Sequence, residues 1–174
     1  SDHGTAHGEH GYVGKTSCGY REVNHIPLII RNPKGPRGKR ISHLVWAPDF
    51  LPTILDALEV KADVPFDGKS FWPIVLGEEE KGREFVVCGN GGLLRRERRV
   101  SFTSFDERLP TKLRERALNI RARELYLTDG EWSFIYAPRA GNELYNLGED
   151  PKEKRNLISE HPEKTFELNR ELNR

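Results

Sequence analysis

The first dense apolar run in the chain is Ile26-Pro27-Leu28-Ile29-Ile30, ending at Arg31, and it follows a polar, glycine-rich opening over residues 1–25. A short, nearly continuous apolar run predicts a strand buried on both faces of a parallel sheet. Residues 32–40 (NPKGPRGKR) are turn-rich and basic. Phe50, Leu51, Ile54, Leu55 and Leu58 then recur at helical spacing, which predicts a helix over residues 48–58 with Pro48 and Pro52 near its first turn and Asp49, Thr53 and Asp56 on its polar side. Residues 61–83 alternate turn signals with short apolar pieces and read as an ordered connection between two halves. Residues 84–88 (EFVVC) predict a strand. Two β-rich runs flank Asp129-Gly130, the signal of a tight hairpin, and further strands are expected to join them in an antiparallel sheet. A short strand at Glu143–Asn146 leads to a turn where Asp150 is expected to cap, Pro151 to take the first helical position and Glu153 to complete a capping box. The last helix is expected over residues 162–172, with Thr165, Leu168 and Leu172 as its stripe.

Composition narrows the class of molecule. At 174 residues the chain holds one domain, or one domain and a sizeable piece of another. Hydrophobic residues at 36% and charged residues at 32% describe a charge-rich globular chain, and no apolar run approaches the length needed to cross a bilayer. A formal net charge of +1 gives no global attraction to nucleic acid or anionic membrane, so neither is expected as a partner. Cys18 and Cys88 stand alone without a Cys-x-x-Cys partner, which excludes a disulfide framework and a thiolate zinc cluster and leaves two buried thiols. The chain begins at Ser1 and contains no methionine, so it is expected to be a piece of a longer protein, and its compartment stays unknown. Arginines at 95, 96, 98, 99, 108, 114, 116, 121 and 123, with Lys112, form a basic stretch, but acids at 97, 106, 107, 115 and 124 interleave with them. That pattern suits an exposed face, with any ligand contact being part of substrate recognition.

The opening stretch, SDHGTAHGEHGYVGKT, concentrates the candidate chemistry. Gly14-Lys15-Thr16 ends like a phosphate-binding loop, yet the glycine that such a loop needs five residues earlier is Glu9, and no apolar strand precedes it. His7 and His10 are three apart in a segment too rich in glycine to hold both on one helical face, which argues against a zinc-protease pair. Asp2 and His3 remain as possible ligands of one ion, since Gly4 frees the backbone beside them.

The whole constellation resembles a known family. Ser1-Asp2-His3-Gly4, Gly8-Glu9-His10-Gly11, Gly14-Lys15 and Ile26–Ile30 are similar to the second signature region of sulfatases and phosphonate monoester hydrolases of the alkaline phosphatase superfamily. Asp49–Asp56, Asp67–Gly77, Glu143–Leu147, Asp150–Glu153 and Asn156-Leu157 resemble later blocks of that family, in its order and at its spacing. The resemblance implies an α/β, alkaline phosphatase-like fragment. Residues 1–80 would be the C-terminal edge of the large parallel-sheet domain, and residues 81–174 a small α+β subdomain with an antiparallel sheet and a terminal helix.

The resemblance also implies roles. Asp2 and His3 would ligate a divalent cation, calcium foremost, with manganese or magnesium as alternatives; a carboxylate is a hard oxygen ligand suited to each. Lys15 would contact the sulfate or phosphonate group and offset its developing charge. His10 would bind substrate or donate to the leaving oxygen. His7, Glu9, Tyr20 and Glu22 would support the loop. The family's nucleophile, a formylglycine made within a Cys/Ser-x-Pro-x-Arg motif, lies upstream of the matched region, and neither Cys18 nor Cys88 stands in such a motif. The parent protein is therefore expected to hydrolyse sulfate esters of small molecules or saccharides, with phosphonate or phosphate esters as the alternative. The chain alone is expected to be inactive and to self-associate; a noncatalytic module for binding or assembly is the remaining possibility.

Overall fold

Asp129 and Gly130 reverse the chain between two strands whose pairing organises the C-terminal part of the structure. The computed structural model describes residues 1–11, 13–14, 19–33, 35, 37–89, 124–138 and 141–173. Among the described residues six strands run in order: β1 (Ala6–His7), β2 (Val13–Gly14), β3 (Val86–Gly89), β4 (Leu125–Thr128), β5 (Trp132–Tyr136) and β6 (Glu143–Asn146). Four α-helices accompany them: α1 (Arg21–Asn24), α2 (Phe50–Ala57), α3 (Trp72–Leu76) and α4 (Pro162–Leu172). The described residues divide into two compact units, one made of Ser1, His3–Ile26 and Val87–Arg174, the other of Asp2 and Pro27–Val86.

In the first unit, a four-stranded sheet has the order β3-β4-β5-β6, and β1 pairs with β2 in a separate two-stranded ribbon. The hairpin register sets Tyr126 opposite Ile135 and Leu127 opposite Phe134, and β6 adds Leu144 opposite Phe134 and Tyr145 opposite Ser133. The Asp129 side chain accepts from the amides of Glu131 and Trp132, and Gly130 takes the positive φ of 94° that a side chain would resist. Alternation divides these residues between two faces. Leu127, Phe134 and Leu144 are fully buried on one of them, as is Leu168 of α4, which packs on β5. The other face carries Tyr126, Ile135 and Tyr145, which bury together with Ala6 and Tyr20 from the opening segment, while Val23 and Cys88 pack at the margin. Glu153 is 1% exposed, and its carboxylate accepts from Ser133 Oγ at 2.5 Å and from the Arg21 amide at 2.8 Å, joining β5 to the start of α1.

In the second unit, Phe71, Ile74 and Val75 form a small core with Val45, Phe50 and Trp72 against it. Asp49, 2% exposed, ties this unit together: its carboxylate accepts from the amides of Trp46 and Lys69 and forms a two-pronged ion pair with Arg83. Thr53 donates to the Asp49 carbonyl and accepts from the Phe71 amide, which fastens α2 to the start of α3.

Several expectations change here. Residues 26–31 form no strand; Ile29 is 92% exposed and Leu28 and Ile30 are exposed as well. An extended segment becomes a strand only beside a partner, and this one has no ladder partner among the described residues. The helix near residues 48–58 is present as α2, preceded by a 3-10 turn at Ala47–Asp49; Phe50 of its apolar stripe packs on the core, but the rest of the stripe is only partly buried or exposed. Leu51, Ile54 and Leu58 are exposed, whereas Asp49 and Thr53 are buried because their polar atoms are fully used within the unit. The Asp150 carboxylate does cap, yet it caps a turn, accepting from the amides of Lys154 and Arg155, and Glu153 turns inward at φ 50° instead of completing a capping box. Arg95 to Arg123 and Cys18 lie outside the described residues. Cys88 is a half-buried free thiol whose pKa burial raises. No described helix is long and apolar enough to cross a membrane.

Two titrations of opposite sign follow. Burial alone would raise the Asp49 pKa, but the Arg83 guanidinium and two amide donors outweigh it and hold the carboxyl below its ordinary value. Asp49 therefore stabilises the fold above about pH 4, and that contribution is lost as the pH falls lower. Asp49→Ala is expected to cost about 3 kcal/mol in denaturant unfolding followed by tryptophan fluorescence, because it leaves Arg83 desolvated and unpaired. For Glu153 burial wins over the donors from Ser133 and Arg21, and the carboxyl is raised. The folded chain then binds this proton more tightly than the unfolded one, so stability falls as the pH rises above roughly 4.3. Glu153→Gln removes that dependence, and the melting temperature of the wild type relative to this variant should rise as the pH is lowered from 7 toward 4.5.

Candidate functional site

The ribbon of β1 and β2 sets Ala6 opposite Gly14 and His7 opposite Val13, so the chain must reverse within residues 8–12. It does so through a 3-10 turn at Glu9–Gly11 with Gly8 and Gly11 at positive φ, and His10 is carried into the left-handed region at φ 52°. A non-glycine residue in that region costs about 1 kcal/mol or more and persists only where its surroundings over-determine it. The surroundings of His10 do so. Its ring stacks on Tyr20 with centroids 3.7 Å apart and planes 4° from parallel. Tyr20 is itself fixed: its hydroxyl donates to the Glu143 carboxylate at 2.7 Å, and Tyr145 donates to the same carboxylate at 2.6 Å. Burial, then this carboxylate, pushes the Tyr145 phenol far above its ordinary range, so it remains a donor.

Glu22 approaches from the edge of the imidazole, with Oε1 3.7 Å from His10 Nε2. Its other oxygen, Oε2, is buried with no hydrogen-bond partner among the described residues. Glu153 stands behind, and His10, Glu22 and Glu153 each bring a ligand-type atom within 4.8 Å of the others. Both Glu153 oxygens already accept from protein donors, and Glu22 adds to the forces that raise its pKa. Imidazole beside two carboxylates is a charge-complementary arrangement, since histidine can carry the proton that they lack.

The other expected site residues fall as follows. His3 Nδ1 lies 2.8 Å from the Gly4 carbonyl. A carbonyl only accepts, so Nδ1 is the nitrogen that donates to it. Gly4 matters for space more than for torsional freedom: its amide donates to the Val23 carbonyl at 2.9 Å, and a Cβ there would come within 1.9 Å of the Glu22 carbonyl oxygen. Asp2 is exposed, and neither Asp2 nor His3 joins the cluster around His10. Lys15 lies outside the described residues. Tyr20 and Glu22, expected only to support the loop, are the groups that lie against His10. Glu143 and Glu153 were not anticipated in any role here. Their only sequence signal is membership of the C-terminal block, because the contact of Glu153 with Arg21 spans 132 residues.

The chain is similar to proteins of known class. Residues 8–87 match the family described as N-sulphoglucosamine sulphohydrolase, C-terminal. The chain is 27% identical over 175 residues to arylsulfatase K of Xenopus laevis, covering 99% of this chain and 29% of that protein. It is 27% identical over 176 residues to an N-acetylglucosamine-6-O-sulfatase of Bacteroides thetaiotaomicron, covering 97% and 27%. Among solved structures, a putative sulfatase from Bacteroides thetaiotaomicron superposes with a TM-score of 0.73 at 21% identity over 98% of this chain and 33% of that one. The phosphonate monoester hydrolase of Agrobacterium radiobacter gives 0.72 at 22% identity over 99% and 33%. The chain thus spans less than a third of the length of the curated relatives it matches. The family match over residues 8–87 and the similarity to arylsulfatase K and to an N-acetylglucosamine-6-O-sulfatase make this chain similar to sulfatases, and it shares the fold of a putative sulfatase and a phosphonate monoester hydrolase.

Proposed function

We propose that the intact protein hydrolyses sulfate esters and that this chain supplies its anion-contacting loop and part of its cation site. The observation that carries this reading is His10: a strained, stacked and carboxylate-flanked imidazole within the residues that match the sulfatase family. His10 contacts the sulfate ester and gives a proton to the leaving oxygen. Lys15 offsets charge on the transferred group as the ester bond breaks. Asp2 and His3 are donors suited to a divalent cation, calcium first and manganese or magnesium next. Such a cation, when bound, neutralises sulfate charge. The nucleophile, a formylglycine, belongs to a part of the protein outside this chain. A nucleophile and its activating groups act as a unit, so the chain alone turns over little or nothing.

Sulfated saccharides are the favoured substrate class, since one relative is named for a 6-O-sulfated glucosamine. The fold shared with a phosphonate monoester hydrolase supports phosphonate esters as the alternative. In the intact protein, residues 1–80 form the C-terminal edge of the large domain and residues 81–174 the small subdomain.

Assay of the intact protein with an aryl sulfate and a 6-O-sulfated glucosamine, with and without chelator, tests the reading. Hydrolysis is expected, with a loss of about a hundredfold or more in His10→Ala or Lys15→Ala. No sulfate release with calcium, manganese and magnesium each supplied would overturn it, and release from a phosphonate monoester alone would favour the alternative. A second expectation concerns the chain by itself. Ile29, Leu51, Ile54 and Leu58 are exposed on one unit, and apolar surface of that kind drives association. Light scattering should therefore report a mass above that of one chain, and a monodisperse monomer would contradict it.

A further inference from the structure

Glu22 has no role in the reading above, yet its setting is unusual. Its side chain is 23% exposed, and one carboxylate oxygen is buried without a hydrogen-bond partner among the described residues. An exposed helical glutamate turns both oxygens to water, because a buried acceptor left unsatisfied costs about 1–3 kcal/mol. Here α1 keeps the carboxylate turned inward, and the start of α1 is in turn tied to the Glu153 carboxylate through the Arg21 amide. The group that Glu22 faces is His10, 3.7 Å away.

We propose that Glu22 is the positioning residue of His10: with Tyr20 on the ring face and Glu22 at the ring edge, the imidazole is confined to one orientation. The inference rests on the reading of His10 as a substrate contact. Stacking alone fixes the plane of an imidazole but lets it turn within that plane, exchanging the positions of its two nitrogens. A carboxylate at the edge breaks that equivalence by attracting an N–H. Glu153 reinforces the effect by placing a second negative group within 4.8 Å of both. The charged and titratable groups around the ring are Glu9 on its own turn, Tyr20, Glu22 on α1 and Glu153 beyond β6. No covalent step is involved; Glu22 acts only through the histidine.

The test has two readings that fail independently. In the full chain, the ring protons of His10, assigned with His10→Gln, should resonate upfield because they lie over the Tyr20 ring. Glu22→Gln keeps size but removes charge, and it should shift or broaden those signals while the amide signals of β4–β6 stay in place. Glu22→Asp should restore part of the wild-type pattern. In the intact protein, Glu22→Gln is expected to lower kcat about tenfold with KM within about twofold, since misorientation of a reacting group costs turnover more than binding. Unchanged His10 ring signals in a folded Glu22→Gln chain would overturn the proposal, as would a rise in KM at unchanged kcat. Full hydrolysis by His10→Ala would instead remove the substrate-contact role of His10, and the ring signals would still decide whether Glu22 positions it.

Discussion

The hydroxyl of Tyr20, donating to Glu143 at the start of β6, is the contact on which the functional loop depends. One face of Tyr20 is the surface on which His10 stacks, and the ring is 3% exposed within the cluster formed by Ala6, Tyr126, Ile135 and Tyr145. The opening segment has little secondary structure of its own, since β1 and β2 are two residues each and α1 is four. A helix of that length does not hold itself together in water, and neither does so short a ribbon. Its shape is therefore borrowed from the sheet, through the Tyr20 hydroxyl, the Glu153 carboxylate and the apolar side chains between them.

Three carboxylates in this chain, two buried and one partly buried, meet the cost of desolvation in different ways. Asp49 is over-compensated: two amides and a guanidinium surround it, and its pKa falls. Glu153 is under-compensated: burial outweighs a hydroxyl, one amide and the charge of Arg21, and its pKa rises. Glu22 goes further, with an oxygen that has no partner among the described residues. The well-satisfied group lies in the unit built around Phe71, and the poorly satisfied ones lie beside His10. Native proteins break local rules where function requires it.

What was legible in the sequence was what local chemistry decides. The Asp129-Gly130 hairpin and the helix at residues 162–172 form where turn residues and 3.6-residue periodicity place them, because each is specified within a dozen residues. The run at 26–31 could not be read the same way, since strand formation depends on a neighbour and not on the run itself. On α2 the hydrophobic pattern placed Phe50 correctly but not Leu51, Ile54 and Leu58. Periodicity counts apolar side chains, while Asp49 and Thr53 are buried for hydrogen bonds that arrive from Lys69, Phe71 and Arg83. At the site, motif spacing singled out His10, yet the groups that hold it were missed or assigned to turns. Nothing local to Glu153 indicates that its carboxylate reaches the amide of Arg21.

That separation has an energetic meaning. Residues 27–86 have a core of their own and sit in sequence between the two stretches that enclose His10. Bringing the ends of a loop of roughly 100 residues together costs on the order of 4 kcal/mol, and the cost grows only logarithmically with length, so the intervening length adds little to it. The burial of Tyr20, Ala6 and Val23 against Tyr126, Ile135 and Tyr145 offsets that closure, and so do the bonds of Glu143 and Glu153. Without the sheet, Tyr20 loses its hydroxyl partner, α1 loses its anchor, and nothing remains to hold His10 at a positive φ. The orientation of the imidazole is thus a property of the completed tertiary structure, and a partly folded chain does not present it.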